Sequence, residues 1–414
     1  MAKKQEYGND AIRALKGADR VRKRPAVIFG SDGLEGCKHS TFEILSNSID
    51  EARDGHGNKI ILTHYNDNSI EVEDFGRGCP VDYNEKEQRF NWELVYCELY
   101  AGGKYDNNSG DNYEFALGLN GLGACATQYA SEYMDVEVYR DGYKYDLHFE
   151  KGENIGGLKK EETKQKKTGT KTHWKPDLDV FTDIKIEKEY FEEVLKKQAV
   201  VNPNIQFIYR YQNEDGNFEE EVFCYENGIA DYVAEIAGES ALTSIQYFEG
   251  ERIGRDREDK KDYKVKLSVS FTFSNQIKDL EYFHNSSYLE HGGSPEDAVK
   301  AAFTSQINAY LKNNNKYTKS EKQITFADIE ECLVLVSSSF STQTSYANQT
   351  KKAITNKFIK ECMTEFLKHN LEVYFIENPN EAIKIAEQVL LNKRSRESAP
   401  RSLEKHSGEM SAKS

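Results

Sequence analysis

The chain is 414 residues long, 38% hydrophobic and 12% aromatic, with only 7 prolines, which excludes a disordered or linker-rich chain and allows two or three domains with cores of their own. Its formal net charge of −15 at pH 7 argues against a surface that grips nucleic acid over most of its area. No run of about 18 apolar residues occurs and MAKKQEYGND lacks an apolar segment, so neither a membrane span nor a secretory signal is expected. The seven cysteines are scattered with no CxxC pair or zinc spacing, which fits a reducing cytoplasm.

In chain order, a first helix is expected over Ala11–Val21, followed by a turn at Lys23-Arg24-Pro25-Ala26. Phe42, Leu45, Ile49 and Ala52 recur at helical spacing, and Gly55 and Gly57 stop a helix over Lys38–Asp54. Lys59–Tyr65 and Ser69–Asp74, joined at Asn66-Asp67-Asn68, read as a hairpin; Met134–Tyr139 and Lys144–Phe149, joined at Asp141-Gly142, read as a second. The basic run Lys159–Lys171 is best taken as a solvated loop. A helix at Ile186–Gln198 and strands at Gln206–Tyr211 and Glu220–Tyr225 close a first domain, 1–225. A second, 226–394, mixes strands (Tyr263–Phe273, Glu331–Ser337) with helices (Pro295–Leu311, Asn348–Lys368, Pro379–Asn392). The last segment, 395–414, loses periodicity and reads as a frayed or disordered tail. The fold class is therefore α+β.

Three stretches carry chemistry. On the helix over Lys38–Asp54, His39, Glu43, Asn47 and Glu51 share one face at i, i+4 spacing. Glu43 suits a general base on water, with His39 one turn away to orient it. Asn47 offers a neutral oxygen to Mg²⁺, an ion that takes few protein ligands. An amphipathic surface helix is the plainer alternative for this pattern. In the following strand Ile70, Val72 and Asp74 face one way, so Asp74 is a buried acid that needs donors, and an adenine amino group would be one. Gly76 and Gly78 then permit close approach of a flat ligand, although a strand-ending turn would look the same. Last, Gly102-Gly103-Lys104 and Gly118-Leu119-Asn120-Gly121-Leu122-Gly123 precede a helix start at Ala124–Tyr129 and leave amides for an anion. This is neither a dinucleotide fingerprint nor a GxxxxGK[ST] loop.

The order of these blocks, closing on Thr168-Gly169-Thr170, resembles the GHKL (Bergerat) nucleotide-binding fold shared by gyrase, ninety-kilodalton heat-shock chaperones, histidine kinases and mismatch-repair ATPases. Leu15-Lys16-Gly17 with Val21-Arg22-Lys23-Arg24-Pro25, Phe42–Ala52, Leu99–Asp106, Lys167–Thr170 and Asn348-Gln349-Thr350-Lys351 resemble the B subunits of DNA gyrase and topoisomerase IV. The resemblance implies a GHKL domain, with helices on one face of a mixed sheet, and then an α/β transducer domain. It implies ATP and Mg²⁺ as cofactors, Glu43 as base, Asn47 as Mg²⁺ ligand, and Asp74 with Thr170 at the adenine. Glu51, Gly78 and Tyr113 border the nucleotide, and Arg77, Pro80 and Arg140 line an outer pocket. Lys104 and the amides of Leu119, Asn120, Gly121, Leu122 and Gly123 hold phosphates. Gln349 and Lys351 reach the γ-phosphate from the second domain, while Tyr7 and Ile12 belong to an arm that crosses to a second subunit. The implied partners are duplex DNA, a second copy on ATP binding and an A-type breakage subunit.

Three departures stand out: Phe75 in place of a second aspartate, Leu117 and Asn120 in the glycine loop, and the unusual Ser341–Ala347 approach to the NQTK block, with Gln343-Thr344 as a competing pair. Nothing resembles the acidic cleavage block or a tyrosine-bearing breakage domain. A regulatory or decoy protein that keeps the pocket is the alternative function. A chaperone or mismatch-repair relative is disfavoured by VRKRP, GGKYD and NQTK together.

Overall fold

The computed structural model describes residues 9, 14–15, 17–99, 123–347 and 351–411, with side chains as far as 399. These fall into two compact units, Met1–Ala199 with Ile205–Cys224, and Val200–Asn204 with Tyr225–Ser414.

The first unit begins with α1 (Asp19–Arg22), α2 (Pro25–Phe29) and α3 (Leu34–Arg53), then β1 (Lys59–His64), β2 (Ile70–Asp74), β3 (Tyr83–Asn84), β4 (Arg89–Phe90), α4 (Asn91–Cys97) and α5 (Gly123–Tyr129). It continues with β5 (Ser131–Arg140), β6 (Tyr143–Glu150), β7 (Glu153–Asn154), β8 (Lys159–Glu162), β9 (Gly169–Pro176), α6 (Lys188–Val201), β10 (Gln206–Gln212) and β11 (Phe218–Phe223). One sheet runs β11-β10-β1-β2-β9-β5-β6-β7, with β8 added on β6. Among the described residues of this unit, only β1 and β10 pair in parallel. Alternating burial along β2 and β6 shows that one face is covered, and α3 packs on β1, β2 and β9. The expected Ala11–Val21 helix lies partly outside the described residues, and its described helical part begins at Asp19. Lys23 and Arg24 form the expected turn between α1 and α2, whereas Pro25 and Ala26 already belong to α2, with Pro25 at its first position, where a missing N–H costs nothing. The Lys159–Lys171 run is exposed along β8, but its end forms β9, which lies between β2 and β5.

The second unit holds α7 (Ile229–Ala237), β12 (Gln246–Gly254), β13 (Tyr263–Phe273), β14 (Asp279–His284), β15 (Ser287–Tyr288), α8 (Ser294–Asn313), α9 (Phe326–Glu330), β16 (Leu333–Ser341), α10 (Lys357–Glu377) and α11 (Pro379–Ser411). Its sheet order is β12-β13-β16-β14-β15. Central β16 feeds two cores, because Leu333 and Leu335 pack with Phe303 of α8 and Phe366 of α10, while Val334 and Val336 pack with Val233 of α7. Burial on both faces explains why Leu333–Val336 is an unbroken apolar run.

Two expectations change here. Of the helix expected over Asn348–Lys368, residues 348–350 lie outside the described residues, 351–356 are an irregular segment, and α10 begins at Lys357. The helix expected to end at Asn392 continues to Ser411. Three basic residues anchor it past that point: Lys393, fully buried, pairs with Glu321 at 3.1 Å, Arg394 pairs with Glu321 at 3.0 Å, and Arg396 pairs with Asp328 at 2.9 Å.

Gly169, with φ +142°, opens β9 where a Cβ would collide with the carbonyl oxygen of Asp74. Backbone cannot yield as a side chain can, so Gly169→Ala is expected to lower unfolding free energy by about 3 kcal/mol or more. Denaturant titration checks this, and a change below about 1 kcal/mol would show that β2 and β9 can separate there.

Candidate functional site

The site gathers where α3 crosses the end of β2 and the start of β9. Asp74, the last residue of β2, is 6% exposed. The hydroxyl of Ser48, on α3, donates to its Oδ2 at 2.8 Å, and the N–H groups of Gly76 and Thr170 donate to Oδ1 at 3.0 and 3.2 Å. Burial pushes this carboxyl up to about 6; the three hydrogen bonds oppose that rise and the charge of Glu51 adds to it. A carboxylate oxygen accepts about two hydrogen bonds, so Oδ2 retains capacity for a further donor beside Ser48. The Thr170 hydroxyl in turn accepts from the Cys79 N–H at 2.8 Å, tying the turn after β2 to β9.

On the half-buried face of α3, His39 Nε2 lies 3.1 Å from Glu43 Oε1. Asn47 follows one turn on and is half-buried. Gly123, the first residue of α5, packs so closely on Glu43 that a Cβ there would stand 2.6 Å from Oε2. The structure thus brings His39, Glu43 and Gly123 together.

At the rim, both oxygens of Glu51 accept from Arg77: Nη2 at 2.7 Å, Nε at 3.3 Å and the backbone N–H at 3.0 Å. Glu51 therefore holds the rim arginine in place. Arg140 Nη1 donates to the Gly78 carbonyl at 2.9 Å, and Gly78 takes φ +86° where a Cβ would press on the Tyr139 carbonyl. Pro80 is exposed. A cavity of about 510 Å³ opens here, walled by His56, Phe75, Gly76, Arg77, Arg140 and Thr168 among others. Phe75 stands in that wall with Lys59 Nζ 4.7 Å from its ring centroid, a cation–π contact that suits the ring to the position.

Tyr7, Ile12, Lys104, Tyr113, Leu119, Asn120, Gly121, Leu122 and Gln349 lie outside the described residues. Lys351 belongs to the second unit, where it has φ +56° and its Nζ is 5.8 Å from the Tyr346 ring centroid. Sequence reasoning missed Ser48 and Cys79. Ser48 had a usable signal, because a small polar residue interrupts the apolar stripe of Leu45, Ile49 and Ala52 and so needs a buried partner. Among the described residues no group of three His, Cys, Asp or Glu side chains forms a metal cage, and no helix is long and apolar enough to cross a membrane.

The fold is that of a nucleotide-binding domain of the GHKL class. A family model described as DNA gyrase B matches residues 228–405. The chain is 31% identical over 97% of its length to the DNA gyrase B protein of Thermotoga maritima, and 31% identical over 98% to the DNA topoisomerase 4 B protein of Bacillus subtilis. It covers 62% and 60% of those two relatives, respectively. The crystal structure of the 43K ATPase domain of Thermus thermophilus gyrase B, in complex with an aminocoumarin, superposes with a TM-score of 0.72 at 27% identity, covering 95% of this chain and 99% of that one. The chain belongs to the DNA gyrase B and topoisomerase IV B family and spans about 60% of the length of these curated relatives.

The raised carboxyl of Asp74 makes folding pH-dependent. Its folded value, about 6, lies above the ordinary 3.8, so the folded state binds the proton more tightly. Stability from this group is greatest below 3.8, falls as pH rises through 6, and is constant above. The difference between the chain and Asp74→Asn should therefore drift by roughly 2.4 kcal/mol between pH 4 and pH 7 in favour of the variant. Parallel urea titrations check it, and a flat difference would show the carboxylate is not desolvated.

Proposed function

We propose that the chain binds Mg-ATP in the first unit and hydrolyses it to drive closure of a homodimeric clamp of a type II DNA topoisomerase, acting in the cytoplasm on duplex DNA with an A-type subunit. The observation that carries this is the caged carboxylate of Asp74, with an acceptor site left beside Ser48, in a chain similar throughout to gyrase and topoisomerase IV B subunits. That arrangement fits an adenine, whose amino group is a donor and whose flat ring suits the glycine turn at 76–78. Asn47, half-buried one turn from Glu43 on α3, would offer one neutral oxygen to magnesium, which keeps most of its ligands from water and phosphates.

In this reading Asp74 accepts from the adenine amino group, with Thr170 beside it, and Arg77, fixed by Glu51, and Arg140 border the outer cavity. Glu43 accepts a proton from the attacking water while His39 orients the carboxylate, and Asn47 ligates the magnesium. Lys104, Gly123 and the amides of 119–122 hold phosphates, with Tyr113 at their border. Gln349 and Lys351 distinguish ATP from ADP. Bound magnesium would neutralise charge on the transferring phosphoryl group.

Glu43→Ala should reduce turnover about 100-fold or more while nucleotide affinity stays within about threefold, because a general base acts on water and not on the nucleotide. Coupled phosphate-release kinetics beside calorimetric titration decide it; near-normal turnover removes Glu43 from the role. The arm containing Tyr7 and Ile12 predicts a second outcome. Sedimentation should show a monomer alone and a dimer with a non-hydrolysable ATP analogue and Mg²⁺, and deletion of residues 1–17 should abolish that dimer. A monomer under every condition would overturn the clamp.

A further inference from the structure

The second unit buries a polar cluster that the proposed function leaves unused. His284, the last residue of β14, is 0% exposed and sits in register with Ser339 of β16. Its Nδ1 lies 2.8 Å from the Ser339 hydroxyl, and its Nε2 lies 3.0 Å from both the Ser341 and Thr344 hydroxyls. The hydroxyl of Ser341 has a single proton and donates it to the Gln343 carbonyl at 2.6 Å, so toward the ring Ser341 accepts. With the imidazole proton on Nε2, Nδ1 accepts from the Ser339 hydroxyl at 2.8 Å, in preference to the Phe283 carbonyl, which lies farther from that hydroxyl at 3.4 Å. Burial lowers the ring to about 3, so at working pH it is neutral and keeps one donor and one acceptor.

The neighbour of His284 reinforces the same corner. Asn285, with φ +46°, accepts from the Ser341 N–H at 2.9 Å, and its Nδ2 donates to the Ser341 carbonyl and the Thr344 hydroxyl, both at 3.2 Å. The other end of the segment is pinned by Asn356, which accepts from the Ser345 N–H at 2.8 Å and donates to Asp256 at 3.0 Å. Between the two fastenings lies Lys351. Ser341 and Thr344 converge on the buried ring and Asn285 ties the same two residues beside it, an arrangement that fixes direction more than it adds stability.

We propose that His284 is a positioning residue for nucleotide hydrolysis: its Nε2–H, donated into the Ser341–Thr344 corner, fixes the root of the loop that carries Lys351. The inference rests on Lys351 acting on bound nucleotide, as in the proposed function. A lysine displaced by about 1 Å at a transferring phosphoryl group costs up to about 100-fold in rate with little change in ground-state binding.

The test measures ATP turnover and ADP affinity on the full chain. His284→Leu keeps bulk and removes both polar atoms, His284→Asn reaches only the Nδ1 position, and His284→Gln places an amide N–H near Nε2. Leu and Asn should lower kcat about 10- to 100-fold, with KM for ATP and affinity for ADP within about threefold of the parent, and Gln should restore most of kcat. Thr344→Val, which removes only the accepting hydroxyl, should reproduce the kcat loss, and it decides the matter if the variants at 284 do not give a cooperative melt. Parental kcat in His284→Leu or Thr344→Val, equal loss of kcat and ADP affinity, or Gln no better than Asn would each overturn the proposal. Lys351→Ala separates the two levels. If it abolishes turnover while His284→Leu does not, only the positioning role falls; if it turns over normally, the role of Lys351 falls and this inference with it.

Discussion

The first unit depends on the desolvation of one carboxylate. Asp74 ends β2 at the point where α3 crosses it, and its burial is tolerable because Ser48, Gly76 and Thr170 all donate to it. Each donor comes from a different element, so the acid staples a helix, a turn and a strand at one point. The close approach of Gly169 to the Asp74 backbone and the tie from Cys79 to Thr170 follow from that geometry. Around this centre the other carboxylates divide by environment: Glu43 is half-buried beside His39, and Glu51 is occupied by Arg77.

The second unit solves a different problem with the same means. Its sheet has helices on both faces, so β16 is apolar on both sides as far as Val336 and then changes to serines as it leaves the double core. The polar end of β16 meets the polar end of β14, and there a neutral histidine links the hydroxyl groups of Ser339 and Ser341. A hydrophobic plug would have packed as well but would not have fixed the angle at which the chain departs.

Much of this was legible from residue order. The two hairpins around Asn66–Asn68 and Asp141-Gly142, the amphipathic α3 and the limits of β13 all follow local periodicity, and the structure places them within a few residues of expectation. The buried acid was legible too, because Ile70, Val72 and Asp74 alternate. What escaped was set by distant partners. The strand character of 169–176 depends on pairing with both β2 and β5, and its own residues, GTKTHWKP, alternate too weakly to reveal it. The helical continuation past Asn392 depends on Glu321 and Asp328, some 70 residues earlier in the chain. His284 reads from sequence as an ordinary strand-ending residue, since its three hydroxyl partners lie 55 or more residues away.

The insertion of β9 between β2 and β5 also sets the order in which the site comes into being. Asp74 and its donor Thr170 are 96 residues apart, so at ribosomal rates the strand that completes the cage emerges about 5–20 s after the acid it encloses. The β1 edge waits longer still, because its parallel neighbour β10 begins only at Gln206. During that interval the β1–β2 hairpin is a two-stranded ribbon of marginal stability, with its carboxylate hydrated and its edges open to other chains. Desolvation of Asp74 is therefore a late event of folding, completed only when β9 pairs with β2.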